Sequence, residues 1–228
     1  MNFFEVVEKR RSVRKYSEKK VPTEVMNKAI DAALLAPNSS NMQTWQFHWV
    51  RTEKNKKDLA TACLGQGSAA TAQELIVVSV CPLLWKKITN DILQNAVPEG
   101  MQKQMQEYYG KLIPFLYGWQ FLAPIKWLLF NIIGIFKPTP RKPWSMRDRE
   151  EICIKSAALA CQNFMLAISA QGFDSCPMEG FDESRVKKIL NLKFRDRVVL
   201  VISVGERVER GVWGPRYRSP RDWFVHEV

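Results

Sequence analysis

Three arginines, Arg10, Arg11 and Arg14, surround Ser12 in the run RRSVR near the start of the chain. Guanidinium groups this close repel one another unless an anion lies among them or water solvates each one. Their planar forks grip phosphate or carboxylate oxygens in pairs, so a shared anion is the specific reading of the cluster. A local reading competes with it, because the C-terminal end of a helix also favours cations. A second basic pair, Arg216 and Arg218 in PRYRSP, stands near the other end of the chain. Two further patches stand out between them. APNSSNMQTWQF (36–47) carries Asn38, Ser39, Ser40, Asn41 and Gln43, and CPMEGFD (176–182) carries Pro177, Met178, Glu179 and Gly180.

Other chemistry is poorly served. His48 and His226 are the two histidines, and nothing supports a Ser-His-Asp arrangement. Cys63, Cys81, Cys153, Cys161 and Cys176 are odd in number, scattered and without a CxxC pair, which argues against a disulfide framework or a zinc site. Cys176 reads as a small buried thiol rather than a redox group. The net charge of +11 is compatible with nucleic acid, an anionic membrane or a phosphorylated ligand. No cleavable leader is visible, since Glu5, Glu8 and Lys9 interrupt the first turns, and a reducing cytoplasm is the expected location.

The elements that must position these patches follow from pattern. Asn2 with Glu5 resembles a capping box ahead of a short helix that delivers the arginines at its end. Residues 22–37 read as a helix opened by Pro22 and closed by Pro37. WQFHWV (45–50) has the content of a strand, and ELIVVSV (74–80) and RVVLVISVGE (197–206) that of strands buried on both faces. Asp148 is placed to cap a long central helix that stops at Gly172, and Asp182 a further helix through Leu190. FDSCPMEGF (173–181) reads as a loop or short strand. Strands and helices without regular alternation indicate an α+β domain.

Taken in order, the four patches resemble the FMN-dependent nitroreductase superfamily, over roughly residues 1–81 and 148–220. That resemblance implies one domain over 1–228 with a central, mostly antiparallel sheet flanked by helices, in an intertwined homodimer with FMN at the subunit interface. It assigns Arg10, Arg11, Ser12, Arg14, Arg216 and Arg218 to the flavin phosphate and ribityl chain. Asn38, Ser39, Ser40, Asn41 and Gln43 fall to the polar loop against the flavin, and Pro177, Met178, Glu179 and Gly180 to the segment over its ring. Asn38 stands where the family usually has serine, and Thr44 where it has proline. The implied activity is ping-pong hydride transfer from NAD(P)H through the flavin to a nitroaromatic or quinone-like oxidant, with no acid or base required from the protein. Reductive dehalogenation, flavin fragmentation and non-catalytic flavin binding are the alternatives. No nucleic-acid motif is recognisable, and the arginines are accounted for by a phosphate.

Residues 82–147 depart from this pattern. The 22-residue stretch 115–136 carries one charge, Lys126, and is long enough at about 1.5 Å per residue to match a bilayer core. Gly118, Pro124, Lys126, Asn131 and Gly134 argue against a span. The favoured expectation is an apolar lid or dimer-wrapping arm. A second expectation is peripheral docking on a membrane, with Trp119, Trp127 and Phe130 beside Lys137, Arg141 and Lys142.

Overall fold

The computed structural model describes residues 2–228. Asn2 and Glu5 form the expected reciprocal capping box of α1 (Phe3–Lys9), and Arg10 is its C-terminal cap. α2 (Thr23–Leu34) begins after Pro22 but ends before Pro37. A proline disfavours helical backbone in the residue before it, here Ala36, so the helix cannot run to Pro37 itself. β1 (Trp45–Val50) and β2 (Glu74–Val80) follow, separated by α3 (Glu53–Ala62) and the single turn α4 (Gly67–Ala70). After β2 come α5 (Trp85–Asn95), α6 (Gln102–Met105), a π-helical stretch (Gln106–Leu112), α7 (Ile113–Tyr117), a 3₁₀ turn (Gln120–Leu122) and α8 (Ala123–Phe136). The chain then forms α9 (Met146–Ala170), β3 (Asp174–Met178), α10 (Glu183–Leu190) and β4 (Arg197–Gly205).

The four strands make one antiparallel sheet in the order β1-β2-β4-β3. Side chains alternate across a strand, and both faces of this sheet are covered. Ile76, Val78 and Val80 of β2, with Ile202 and Val204 of β4, pack against Met26, Ala29 and Ala33 of α2 and Ala157, Ala160, Cys161 and Phe164 of α9. Leu75, Val77 and Val201 face the other way, onto Leu59 and Ala62 of α3 and Val186 of α10. That explains the unbroken apolar run of β2. The long helix α9 is apolar enough to match a bilayer, yet it lies inside the protein against α2 and the sheet.

One capping expectation needs correction. The cap of α9 is Ser145, not Asp148; its hydroxyl accepts the Asp148 N–H, while the Asp148 carboxylate accepts the N–H groups of Trp144 and Ser145. Asp148 is thus the third residue of a capping box. The stretch 115–136, against whose spanning Gly118 and Pro124 already speak, is broken. It breaks at Gly118, which is extended, and Trp119, which is left-handed at φ 52°, and the helical segments on either side meet at 63°.

Two buried cations hold that break. Lys126 donates to the carbonyls of Phe115 (2.5 Å) and Gly118 (2.9 Å), and Arg149 donates to the carbonyl of Tyr117. Both satisfy the unpaired carbonyls at the end of α7. Burial pushes the pKa of each group below its ordinary value. The base of the excursion has its own small core of Trp85, Ile92, Ile113 and Tyr117, closed by Met42 from the polar loop.

Candidate anion site and polar loop

The two ends of the chain meet. Arg10, Arg11, Ser12, Arg14, Arg216 and Arg218 line one cavity of about 260 Å³, together with Trp213, Pro215 and Tyr217. The first segment is fixed beside the edge strand by an isolated bridge from Ser12 to Ser175 and by the Val13 N–H, which donates to the Ser175 carbonyl at 3.2 Å. The Arg14 N–H donates to the Gly211 carbonyl at 2.6 Å. A Cβ on Gly211 would stand 2.7 Å from the Lys15 carbonyl and 2.9 Å from that of Val208, so only glycine lets the tail turn this close to the arginine segment.

Beyond that turn, the tail is stitched to the first segment of its own chain. The guanidinium of Arg216 donates to the carbonyls of Glu8 and Arg10, and that of Arg11 to the Gly214 carbonyl at 2.9 Å. Arg14 stacks over Trp213 at 5.1 Å, a cation–π contact. Among the described residues, Arg218 donates only to the carbonyl of its neighbour Tyr217. No reach across to a partner subunit is needed to bring Arg216 and Arg218 to Arg10.

Among the described residues, no carboxylate pairs with any of these five arginines; every ion pair lies elsewhere. Arg10 feels the consequence. Burial first, and then the like charges of Arg216 and Arg218, push its pKa below the ordinary arginine value. Nearby, the buried Ser175 hydroxyl has no hydrogen-bond partner. The local reading of the cluster, cations at a helix end, covers Arg10 alone and leaves the rest unexplained.

The polar loop lies elsewhere on the protein. Asn38 and Ser39 line a separate hollow with Pro37, Ile152, Lys155, Ser156 and Leu159. The loop is tightly made: Asn38 Oδ1 accepts the Gln43 N–H at 2.9 Å, and Gln43 Nε2 donates to Asn41 Oδ1 at 3.1 Å. Ser40 (φ 54°), Asn41 (φ 52°) and Gln43 (φ 42°) are all left-handed, a conformation that costs energy in residues other than glycine and clusters at ligand sites. Ser40 Oγ and Tyr108 Oη are 2.9 Å apart, which ties the loop to the excursion.

Pro177 and Met178 belong to β3, paired with Ile202 and Val201 of β4. Glu179 and Gly180 form the exposed turn that follows, anchored by Gln66 Nε2 donating to the Gly180 carbonyl at 2.7 Å. None of the four lines the arginine cavity, although β3 is the strand that Ser12 joins. Cys176 is wholly buried, and burial raises its thiol pKa. Sequence reasoning passed over Trp213, Tyr217, Gly211, Ser175 and Gln66. Tyr217 had a signal, an aromatic residue between the two tail arginines, and Trp213 stands in the same basic, aromatic tail; the others had none.

A helix-wrapped antiparallel sheet with a cavity of five arginines beside its edge strand defines an α+β protein with a strongly basic hollow. Residues 7–206 match the Nitroreductase family, and the chain belongs to that family. The match ends before the tail, so the place of Arg216 and Arg218 rests on geometry. The chain is 27% identical over 221 residues to the protein DrgA of Synechocystis sp., covering 96% of this chain and 91% of that one. It is 26% identical over 219 residues to an NADH dehydrogenase of Thermus thermophilus, covering 95% and 91%. Among solved structures it resembles an FMN complex from Exiguobacterium sibiricum assigned to the nitroreductases, with 25% identity, a TM-score of 0.74, and coverage of 100% of this chain and 98% of that one.

Proposed function

We propose that this protein is an FMN-dependent oxidoreductase that takes electrons from NAD(P)H and delivers them to a small apolar or aromatic oxidant of the nitroaromatic or quinone type. The observation that carries this reading is the arginine cavity with no carboxylate in it. A phosphate monoester brings close to two negative charges and three acceptor oxygens, which fits five guanidinium groups and the Ser12 hydroxyl. Bound FMN would supply the redox chemistry, hydride acceptance and electron delivery, that no side chain of this site offers.

The protein's own part is binding and orientation. Arg10 and Arg218 neutralise the phosphate, while Arg216 and Arg11 are braced on backbone carbonyls and hold the cavity's shape. The polar loop 38–43 and the turn Glu179–Gly180 offer amides and hydroxyls for the ring's polar edge. On one chain the loop and the cavity are separate, and a two-fold homodimer that lays the loop of one copy against the cavity of the other makes a complete site.

The test is spectroscopic. The purified protein should be yellow, release FMN on heating, and lose its flavin absorbance on anaerobic addition of NADH or NADPH. Light scattering should give twice the 26.4 kDa chain mass. FAD, another chromophore, or an apo-protein that cannot be reconstituted would overturn the cofactor. A monomer that retains FMN would overturn the shared site.

A further inference from the structure

α8 is inverted. Its one buried residue is Lys126, whose charge is spent on backbone carbonyls; Phe130 and Ile133 are half-buried, Phe130 against Trp144, and most of its other apolar side chains face outward. Ile125, Leu128, Leu129, Ile132, Ile135 and Phe136 are all exposed, Ile135 by 75% and Phe136 by 84%. At 3.6 residues per turn these six fall within an arc of about 120°, the width of one continuous apolar face. Trp119, Phe121 and Trp127 stand exposed around its start. No residue of α8 enters the buried clusters of the sheet or of the excursion's base. Surfaces like this signal a missing partner.

We propose that this face docks on an anionic lipid bilayer, so that the oxidoreductase works as a peripheral membrane protein. Charge selects the occupant. From Tyr108 to Arg147 there is no acidic residue, while Lys111, Lys137, Arg141 and Arg147 are basic and in no ion pair among the described residues; Lys126 is buried and Lys142 pairs with Glu151. Basic residues beside an apolar helix face, with exposed Trp119 just before it, suit a helix lying in the headgroup region of a negatively charged leaflet. Length sets the depth: the 14 residues of α8 cover about 21 Å, short of the roughly 30 Å hydrocarbon core, and the 63° break before it turns the helix rather than extending it. A second copy is the poorer occupant, because two such faces would bring cation against cation.

The experiment is flotation of the full-length, flavin-loaded protein with vesicles of phosphatidylcholine mixed with phosphatidylglycerol, and with vesicles of phosphatidylcholine alone. The protein should float with the anionic vesicles, less with the neutral ones, and less as salt rises. Leu128→Glu combined with Ile132→Glu should cut partition at least about ten-fold, and Lys137→Gln about five-fold, with flavin content unchanged. Brominated acyl chains should quench tryptophan emission, and Trp119→Phe should lower the quenched share. Absence of flotation with either vesicle overturns the proposal, as does flotation that the double variant leaves intact. If instead the double variant lowers the mass of an assembly in lipid-free solution and the wild type does not float, the face joins copies of this chain. Flavin content is read in every sample, so failure here is separable from failure of the cofactor reading.

Discussion

The arginine cavity and the α7–α8 excursion break the usual rules of a protein surface in opposite directions. The cavity gathers five cations with no acid, and α8 shows water an apolar face while burying its lysine. Each is unsatisfied in the isolated chain, and the kind of dissatisfaction identifies what is missing. Like charges at close range require an anion of defined shape, and their backbone braces hold them ready for it. An uncovered apolar face requires only a broad, low-dielectric surface. On the readings proposed above, the first region serves specificity and the second partition.

The largest effect should come from taking one cation out of the cavity. Arg218 is the arginine to test, because among the described residues its hydrogen bond goes only to the neighbouring Tyr217 carbonyl and it has no ion pair, so its removal should leave the fold intact. Arg218→Ala should weaken FMN binding by about ten- to a hundred-fold, the loss of a charge-assisted contact of about 1.5–3 kcal/mol. Arg218→Lys should restore part of it, since a point charge cannot reproduce the fork. The flavin-free protein should unfold at the same temperature or slightly higher, because one source of repulsion on Arg10 is gone. Fluorescence titration of apo-protein measures the affinity, and an unchanged value would make Arg218 a solvated tail residue. Vesicle partition should not move.

How much of these regions could be read in the sequence differs for the same physical reason. Strands β1, β2 and β4 were legible because burial on the sheet imposes an apolar pattern on consecutive residues, and the caps at Asn2 and Asp182 because capping is local. The arginine patches were legible as a type of chemistry, although only tertiary structure brings positions 10 and 216 together. α3 was missed: its sequence, EKNKKDLATA, buries only Leu59 and Ala62, too sparse for a helical period to show. The break at Trp119 was missed because a left-handed tryptophan has no local signal. Asp148 was taken for the cap because it is the first acid of the helix, whereas Ser145 has the extended backbone that a cap needs.

The joint between the two regions provides a smaller effect. Arg149, on α9, is buried and reaches the Tyr117 carbonyl at the end of α7, so it connects the body to the excursion. Arg149→Met keeps much of the volume but leaves that carbonyl unpaired, at a cost of about 1–3 kcal/mol. Thermal or urea unfolding should show the loss, while FMN affinity in the folded protein stays within about two-fold. A large fall in affinity with stability unchanged would mean that the excursion helps to shape the flavin site.

The smallest effect belongs to the capping box beside that joint, and it depends on pH. Burial works against the Asp148 carboxylate, but hydrogen bonds from the Ser145 and Trp144 N–H groups and the Ser145 hydroxyl, helped by Lys142, bring its pKa below the ordinary aspartate value. A carboxylate whose pKa is lower in the folded state stabilises the fold above its unfolded value, near 3.9, and loses that contribution as pH falls through the folded value. Asp148→Ala should therefore cost about 1 kcal/mol at neutral pH, on the scale of a helix cap, and its deficit against the wild type should shrink below about pH 3.9. Urea unfolding of both proteins across that range measures the difference. A deficit that stays constant with pH would assign the effect to packing at Trp144 rather than to the ionised cap.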